Sequence, residues 1–257
     1  LYYQTQVRLV NKADMCLCVS EGNAKKLRYK AETPVHVIPN GYTIDADPLP
    51  PAAEPERLSF CYTGTFYEGF QDIQPLLKAI KKEIKVPFGS VVLRYAGYKG
   101  AYLISEAKKE GLDMLVDDNG YLSRKESSAL QNGSDLFLVL AWNSNIEQGG
   151  ISGKFYEALT HRKPVVALVA GNVPNSELRQ MIEGYGLGVC YEEADHDNTF
   201  PKLCEYIKIQ YGRKKNGLPM YYEPDEAVFE TFRYDTITKR LEKILIALLS
   251  DNKKRLS

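Results

Sequence analysis

The chain has 257 residues, of which 44% are hydrophobic and 26% are charged, values typical of a globular protein. Lys and Arg together number 33, and Asp and Glu also number 33, so the formal net charge is zero. This balance disfavours a dedicated nucleic-acid-binding protein, and we expect no nucleic-acid partner. No apolar run is long enough to predict a transmembrane helix. The chain opens at Leu1 without Met, and we therefore expect a fragment or a processed product.

Apolar segments of strand length alternate with helix-period segments along most of the chain. The predicted strands are Met15–Ser20, Val35–Ile38, Leu58–Thr63, Val91–Ala96, Met114–Val116, Leu136–Leu140, Pro164–Val169 and Leu187–Tyr191. Several are apolar almost throughout, as expected for a parallel sheet that is covered on both faces. The alternation predicts an α/β fold, a doubly wound, Rossmann-like parallel sheet with right-handed crossovers.

Three segments carry clear helix signals. One places its apolar residues on a single helical face: Ile73, Leu76, Leu77, Ile80 and Ile84. A second begins with Ser123 and Glu126, which match a capping box, and ends at Gly133. The last predicts a long amphipathic C-terminal helix with no strand after it, with its apolar stripe formed by Ile237, Leu241, Ile244, Leu245 and Leu248.

The domain organisation follows from a proline-rich stretch. Thr43–Glu56 holds four of the 13 prolines, and we predict a linker over residues 46–56. Residues 1–45 contain too little apolar material for an independent core and are predicted to be the tail of a preceding domain. The central Rossmann-like domain is predicted over residues 57–222, and the C-terminal helix over residues 223–257.

Cysteine and histidine spacing favours no metal or redox site. The five cysteines include no C-x-x-C pair, and His36, His161 and His196 are far apart in the sequence. We predict buried, reduced thiols, no metal and no cofactor. Reduced thiols favour a cytoplasmic location, with a peripheral position at the inner face of the membrane as the open alternative.

The loop after the strand Leu136–Leu140 is the strongest candidate for a binding site. It joins small residues to a helix start that carries a lysine and a glutamate: Gly149, Gly150, Ser152, Gly153, Lys154 and Glu157. Unpaired N–H groups at such a helix start bind a phosphate or carboxylate, and Lys154 is unfavourable there unless an anion is bound. Glu157 lies one turn further and can accept two hydrogen bonds from a ribose diol. The alternative is a tight glycine turn followed by a solvated Lys154–Glu157 pair.

Other motifs carry less information. Gly64 follows a predicted strand and either approaches a ligand or simply forms a turn. G-x-G-x-x-G, a Walker loop and G-x-S-x-G are absent, and no Ser-His-Asp or Cys-His arrangement assigns a catalytic residue. Trp142, Tyr98 and Tyr121 are candidates for stacking on a base, although Tyr is abundant in this chain.

Four segments together resemble the C-terminal half of a GT-B glycosyltransferase, most like family 4 of the sequence classification. They are Ala13–Ser20 with Val37–Gly41, Tyr62–Thr65, Gly120–Ser123 with Glu126, and Ile151–Leu159 with Lys163–Val166. The resemblance covers nearly the whole chain, and the order and spacing of the four segments are specific to it. The resemblance implies that residues 1–45 end an acceptor domain and enter the hinge, and that residues 57–222 bind a nucleotide-sugar donor.

The resemblance also implies a retaining, metal-independent transfer of a sugar to an acceptor hydroxyl, as in polysaccharide biosynthesis. In such a site Glu157 would bind the donor ribose, and Gly64 and Thr65 would approach the diphosphate. Lys154 is a phosphate partner, and the loop Gly120–Ser123 would border the base. Backbone N–H groups and a lysine would stabilise the departing nucleoside diphosphate without a metal.

The chain departs from the family pattern at the diphosphate. Gly149 stands where many members have a Glu, and Glu147 could replace it only in a reshaped loop. Thr65 and Glu68 stand where an Arg and a Lys often clamp the diphosphate. We therefore expect Lys154 to be the main nearby cation. Because the acceptor-binding groups would lie in the acceptor domain, of which we expect only the tail here, we expect this donor-binding half to be inactive alone.

Two other functions remain open from the sequence. A GT-B relative such as a nucleotide-sugar epimerase is one, and a non-catalytic module that binds a nucleotide or sugar is the other. For the glycosyltransferase, the expected partners are a nucleotide-sugar donor and a sugar or lipid-linked acceptor held by the missing N-terminal domain. We also expect the apolar stripe of the last helix and the strands near residues 15–38 to pack on each other or to form a homodimer of the fragment.

Overall fold

A computed structural model describes residues 8–29, 32–43, 57–84 and 89–256. The predicted linker, residues 46–56, lies outside the described residues. The main sheet has six parallel strands in the order β5-β4-β3-β6-β7-β8. These strands are β3 (Leu58–Thr63), β4 (Val91–Ala96), β5 (Val116–Asp118), β6 (Leu136–Trp142), β7 (Val165–Ala170) and β8 (Gly188–Glu192). The order is that of a doubly wound Rossmann-like sheet, as predicted, and it reverses between β3 and β6.

Helices cover the two faces of this sheet. In chain order the α-helices that lie wholly within the described residues are α1 (Glu21–Arg28), α2 (Gln74–Glu83), α3 (Gly100–Lys109), α4 (Arg124–Asn132), α5 (Gly153–His161), α6 (Glu177–Gly184), α7 (His196–Lys215), α8 (Ala227–Thr231) and α9 (Tyr234–Leu256). The predicted long C-terminal helix is α9.

The apolar strands are explained by a core on each side of the sheet. In β6, Leu136, Leu138 and Leu140 join one apolar cluster, which α2 and α7 cover. Phe137 and Val139 alternate with them and join a second cluster, which α5 and α6 cover. Because successive side chains of a strand point to opposite faces, a strand that is buried on both faces must be apolar throughout.

The predicted elements and their observed bounds agree best in the core. β3 and β4 begin and end where the sequence predicts, and the apolar face of α2 is buried. The predicted strand Met114–Val116 is wrong: Asp113–Leu115 forms a 3₁₀ turn, and β5 starts at Val116. β5 is an edge strand whose Asp117 and Asp118 are exposed, so the apolar pattern misplaces it.

The helix predicted after Ser123 has the expected boundaries. Ser123 Oγ accepts from the Glu126 N–H, and the Ser123 N–H donates to Glu126 Oε2 at 2.8 Å. This capping box is confirmed, and Gly133 is the C-terminal cap of α4. The box holds the first turn of α4 against the loop that precedes it.

The N-terminal segment packs on the main domain. Strands β1 (Cys16–Cys18) and β2 (Val35–Val37) pair in parallel with each other, so this part of the predicted packing is confirmed. Glu177 at the start of α6 accepts hydrogen bonds from the Glu21 and Gly22 N–H groups, at 3.0 and 3.1 Å. A carboxylate at the N-terminus of α1 is favourable because it satisfies unpaired N–H groups and opposes the helix dipole.

The apolar stripe of α9 is only partly covered. Ile237 is buried and Leu241, Ile244 and Leu248 are half-buried, whereas Leu245 is 42% exposed. The homodimer stays a prediction. In the described ranges no helix combines the length and apolar composition that crossing a bilayer requires. Four of the five cysteines are buried, and Cys16 is half-buried.

Candidate functional site

A cavity of about 900 Å³ opens at the carboxyl edge of the sheet, beside the reversal of strand order. Its walls come from the loops after β3, β4 and β5, from the inner sides of α4 and α5, and from residues 40–43. Ligands of open parallel sheets bind at this place because the loops there diverge to opposite faces of the sheet.

Two buried tyrosines fix the loop after β3. The Tyr95 hydroxyl donates to the Gly64 carbonyl oxygen at 2.8 Å, and the Tyr62 hydroxyl donates to the Thr65 carbonyl oxygen at 3.0 Å. Burial raises the pKa of both tyrosines, so both hydroxyls stay protonated donors. A trans peptide directs its C=O and N–H to opposite sides, so the Thr65 and Phe66 N–H groups point away from the tyrosines. Within the described part of the chain, neither N–H donates a hydrogen bond.

The loops after β3, β4 and β5 are tied to one another by backbone hydrogen bonds. The Gly64 N–H donates to the Ala96 carbonyl oxygen, and the Gly97 N–H donates to the Gly120 carbonyl oxygen, each at 2.8 Å. The Lys99 N–H donates to the Tyr95 hydroxyl at 3.0 Å. These bonds make the loops one rigid wall, a feature that favours a preorganised binding site.

The N-terminus of α5 forms the opposite wall. Gly153, Lys154 and Glu157 line the cavity. The Gly153 and Lys154 N–H groups donate no hydrogen bond to any described residue. Lys154 Nζ contacts both carboxylate oxygens of Glu157, at 2.7 and 2.9 Å, and the two side chains are 28% and 39% exposed. The pair that the alternative interpretation expects is therefore present, and it lies inside the cavity.

A buried amide that the sequence analysis missed supports Glu157. Gln131 Nε2 lies 2.6 Å from Glu157 Oε2 and 2.6 Å from Thr63 Oγ1, and its Oε1 lies 3.1 Å from His161 Nε2. All four side chains line the cavity. A polar residue on the inward face of α4 was the available signal, but the sequence does not show which face turns inward.

The cavity carries a cationic excess among its charged side chains in the described ranges. Arg124, in the first turn of α4, and Lys154 are the lining cations, and Glu157 is the lining carboxylate. The sequence analysis did not identify Arg124 as a site residue. The capping box places Arg124 in the first turn of α4, but whether this turn faces the cavity depends on the loop before α4. The excess positive charge and the unpaired N–H groups favour an anionic ligand.

Two stacked tyrosines stand at the rim of the cavity. The Tyr98 and Tyr121 rings lie 5.0 Å apart with an interplanar angle of 22°, and both side chains are exposed. They come from the loops after β4 and β5 and both line the cavity. Trp142, the third stacking candidate, instead packs against Tyr67 and Phe70, with ring centroids 5.8 and 5.6 Å away.

Three predicted donor-binding residues do not line the cavity. Gly149, at φ +75°, packs against the N-terminus of α1, where an added Cβ would lie 2.5 Å from Ser20 Oγ. Gly150 and Ser152 belong to the same loop, and Ser152 Oγ is buried with no hydrogen-bond partner in the described part of the chain. The geometry of Gly149 fits the tight-turn alternative, and a donor-binding role for these three residues stays a prediction.

Two acidic residues considered in the comparison with the family pattern, Glu68 and Glu147, do not line the cavity. Lys99 Nζ contacts Glu68 Oε1 at 2.8 Å, and Glu68 is not part of the cavity wall. Glu147 Oε2 accepts a hydrogen bond from Trp142 Nε1 at 2.9 Å. The loop therefore turns the Glu68 carboxylate toward Lys99 and not into the cavity wall. No described group of three or more His, Cys, Asp or Glu residues has the geometry to hold a metal ion.

Several solved structures share the fold of the chain. HepE of Anabaena, in complex with UDP and glucose, superposes with a TM-score of 0.67 at 15% identity over 95% of this chain and 66% of HepE. Sucrose-phosphate synthase from Thermosynechococcus elongatus gives 0.66 at 14% identity over 96% of this chain and 61% of the synthase. The apo lipopolysaccharide outer core galactosyltransferase WaaB gives 0.62 at 15% identity, over 91% and 62%. The chain thus spans under two thirds of each of these three chains.

No protein-family model matches the sequence, and no curated protein matches it. At this identity the similarity to solved structures shows the fold alone. The neighbours are GT-B glycosyltransferases, and the match covers nearly all of this chain. The predicted fold, the Rossmann-like sheet and long last helix of a GT-B C-terminal half, is confirmed.

Proposed function

We propose that this chain, which has the fold of the C-terminal half of a GT-B glycosyltransferase, binds the nucleoside diphosphate of a nucleotide-sugar donor. In this proposal it is the donor-binding part of an enzyme that transfers a sugar to an acceptor hydroxyl. The observation that carries the proposal is the pairing of Lys154 with Glu157 inside a cavity. The walls of this cavity present N–H groups that have no acceptor among the described residues.

The cavity walls suit a diphosphate. On one side the loop after β3 presents the Thr65 N–H, and on the other α5 presents the Gly153 and Lys154 N–H groups. Each of these donors can bond a phosphate oxygen, and the positive end of the α5 dipole favours the charge. A diphosphate carries more charge than one carboxylate, so it competes with Glu157 for Lys154 Nζ. The Lys154–Glu157 pair, which is half-buried and still reached by solvent, itself contributes only about 0.2–1 kcal/mol.

The remaining contacts suit a nucleoside. Once Lys154 turns to the phosphates, Glu157 presents carboxylate oxygens to a ribose diol. Tyr98 and Tyr121 offer an exposed aromatic surface at the rim, where a base can stack. All three features line one cavity, so one nucleotide could contact them together.

The proposed transfer stabilises the departing nucleoside diphosphate with charges of the chain itself. As the bond from sugar to phosphate breaks, negative charge grows on the phosphate oxygen, and Lys154 with the α5 N–H groups stabilises it. Retention of configuration and independence from metal are the finer parts of the proposal and rest on the family resemblance. HepE, one of the fold neighbours, was crystallised with UDP and glucose, and this complex supports a nucleotide-sugar donor.

Calorimetry with a panel of nucleoside diphosphates tests the proposal. We expect Lys154→Ala to weaken binding roughly ten- to hundredfold, because a charge-assisted hydrogen bond contributes about 1.5–3 kcal/mol. Lys208→Ala is the matched control, since Lys208 forms a similar pair with Glu205, at 3.8 Å, on the exposed side of α7. Equal affinity of wild type and Lys154→Ala, or no binding of any nucleoside diphosphate by the wild type, would refute the proposal.

A further inference from the structure

The Gln131 side chain occupies a position that nothing in the family resemblance assigns. It projects from α4 into the space between β3 and α5 and is 4% exposed. There it contacts Thr63 on the strand, Glu157 on the facing helix and His161 one turn beyond. One buried amide thus connects three elements of the cavity wall.

The chemistry of these contacts sets the orientation of the amide. A primary amide has two N–H donors and one carbonyl acceptor. A carboxylate oxygen and a hydroxyl oxygen both lie at 2.6 Å from Nε2, so the two donors have two acceptors. The reversed amide would place its oxygen against the Glu157 carboxylate. The Gln131 oxygen therefore faces His161, whose Nε2 must carry the proton and donate.

The two carboxylate oxygens of Glu157 have different hydrogen-bond partners. Lys154 contacts both, while Gln131 holds Oε2 alone. When a diphosphate draws Lys154 away, Gln131 still fixes Oε2, and Oε1 faces the cavity in a defined direction. Without Gln131, the half-exposed carboxylate would be free to rotate about its side-chain bonds and to stay with Lys154.

We propose that Gln131 is the positioning residue that orients Glu157 toward the ribose, so that the site selects a ribose diol and not only a diphosphate. This inference rests on the proposed function. A merely structural role of Gln131, as a tie between α4 and β3, would change the stability of the protein but not its discrimination between sugars.

The readout is the ratio of dissociation constants for 2′,3′-dideoxyuridine diphosphate and uridine diphosphate, measured by calorimetry. For the wild type we expect a ratio of roughly ten to one hundred, the effect of a hydrogen bond to a charged group. Gln131→Met keeps the length of the side chain and removes its hydrogen bonds, and we expect the ratio to fall toward one. Affinity for inorganic pyrophosphate, which contacts Lys154, is expected to stay within twofold of wild type.

Two further variants keep the test decisive. Gln74→Met is the matched control, because Gln74 Nε2 donates to Glu106 Oε2 at 2.8 Å outside the cavity, and its ratio should equal that of wild type. Thr63→Val removes one anchor of the amide with little change of shape, and we expect the ratio to fall about two- to fivefold. If Gln131→Met does not fold, as judged by its melting curve, the Thr63→Val ratio decides.

The failures are distinguishable. If Gln131→Met keeps the wild-type ratio, the positioning role is overturned and the proposed function is left intact. The same conclusion follows if Gln131→Met is unfolded and Thr63→Val keeps the wild-type ratio. A wild type that binds the diphosphates without preference for ribose overturns the roles of both Glu157 and Gln131. A wild type that binds no nucleoside diphosphate overturns the proposed function itself.

Discussion

Replacing Gly64 by Ala tests whether the backbone of the loop after β3 is part of the binding site. Gly64 has φ +150°, a conformation that an L-residue rarely adopts, and an added Cβ would lie 3.3 Å from Lys154 Cε. Such backbone strain costs on the order of 1–3 kcal/mol. For a chain of this size we expect the melting temperature to fall by roughly 2–12 °C.

The same change should weaken nucleotide binding. The new methyl group either displaces Lys154 or turns the peptide that carries the Thr65 N–H, so at least one phosphate contact is lost. We expect the dissociation constant of a nucleoside diphosphate to rise about tenfold or more, measured by calorimetry below the melting transition.

Gly111→Ala separates the two effects. Gly111 also has a positive φ, +72°, but nothing lies within 4 Å of an added Cβ, and the residue is outside the cavity wall. This control should lose stability and keep its affinity. If Gly64→Ala likewise lost only stability, the loop after β3 would not contact the diphosphate, and the assignment of Gly64 and Thr65 would be incorrect.

Two further substitutions probe the rim and the frame of the domain. Tyr121→Ala removes one ring of the stacked pair. Calorimetry should show about two- to tenfold weaker binding of a nucleoside diphosphate and unchanged binding of pyrophosphate. Equal losses of affinity for both ligands would contradict base stacking. Arg179→Met leaves the carboxylate of Glu192, whose side chain is 1% exposed, without its cation 3.0 Å away. We expect a loss of about 3–5 kcal/mol in the free energy of unfolding from urea denaturation, and a loss below about 1 kcal/mol would contradict this.

The central fold could be predicted because its signals are local and strong. β6 and β7 are apolar throughout, and the apolar face of α2 repeats with helical period, so packing leaves few alternatives. β5 shows the limit of this reasoning. It is short and lies at the sheet edge, where polar Asp117 and Asp118 face solvent, so no apolar pattern marks its position.

Site residues could be predicted from the sequence only where their positions follow from neighbours in the same helix or loop. Lys154 and Glu157 follow from their place in the first turns of one helix. Gln131 meets Glu157 across 26 residues and Thr63 across 68, so neither contact has a sequence signature. The contact between Glu68 and Lys99 likewise depends on how two separate loops pack. A comparison of sequence motifs therefore could not predict it.

The contact between Gly22 and Gly149 restricts how this chain can vary. An added Cβ at Gly22 would lie 2.6 Å from the Gly149 nitrogen, so neither position has room for a larger residue. Lys26 Nζ also donates a hydrogen bond to the Ile146 carbonyl oxygen at 2.6 Å, which ties the loop to α1. We therefore expect insertions and exchanges to be tolerated best on the outward side of this loop, where the Ile146 side chain is 88% exposed. Diversity between related chains should accumulate at that tip, while the inner side stays short.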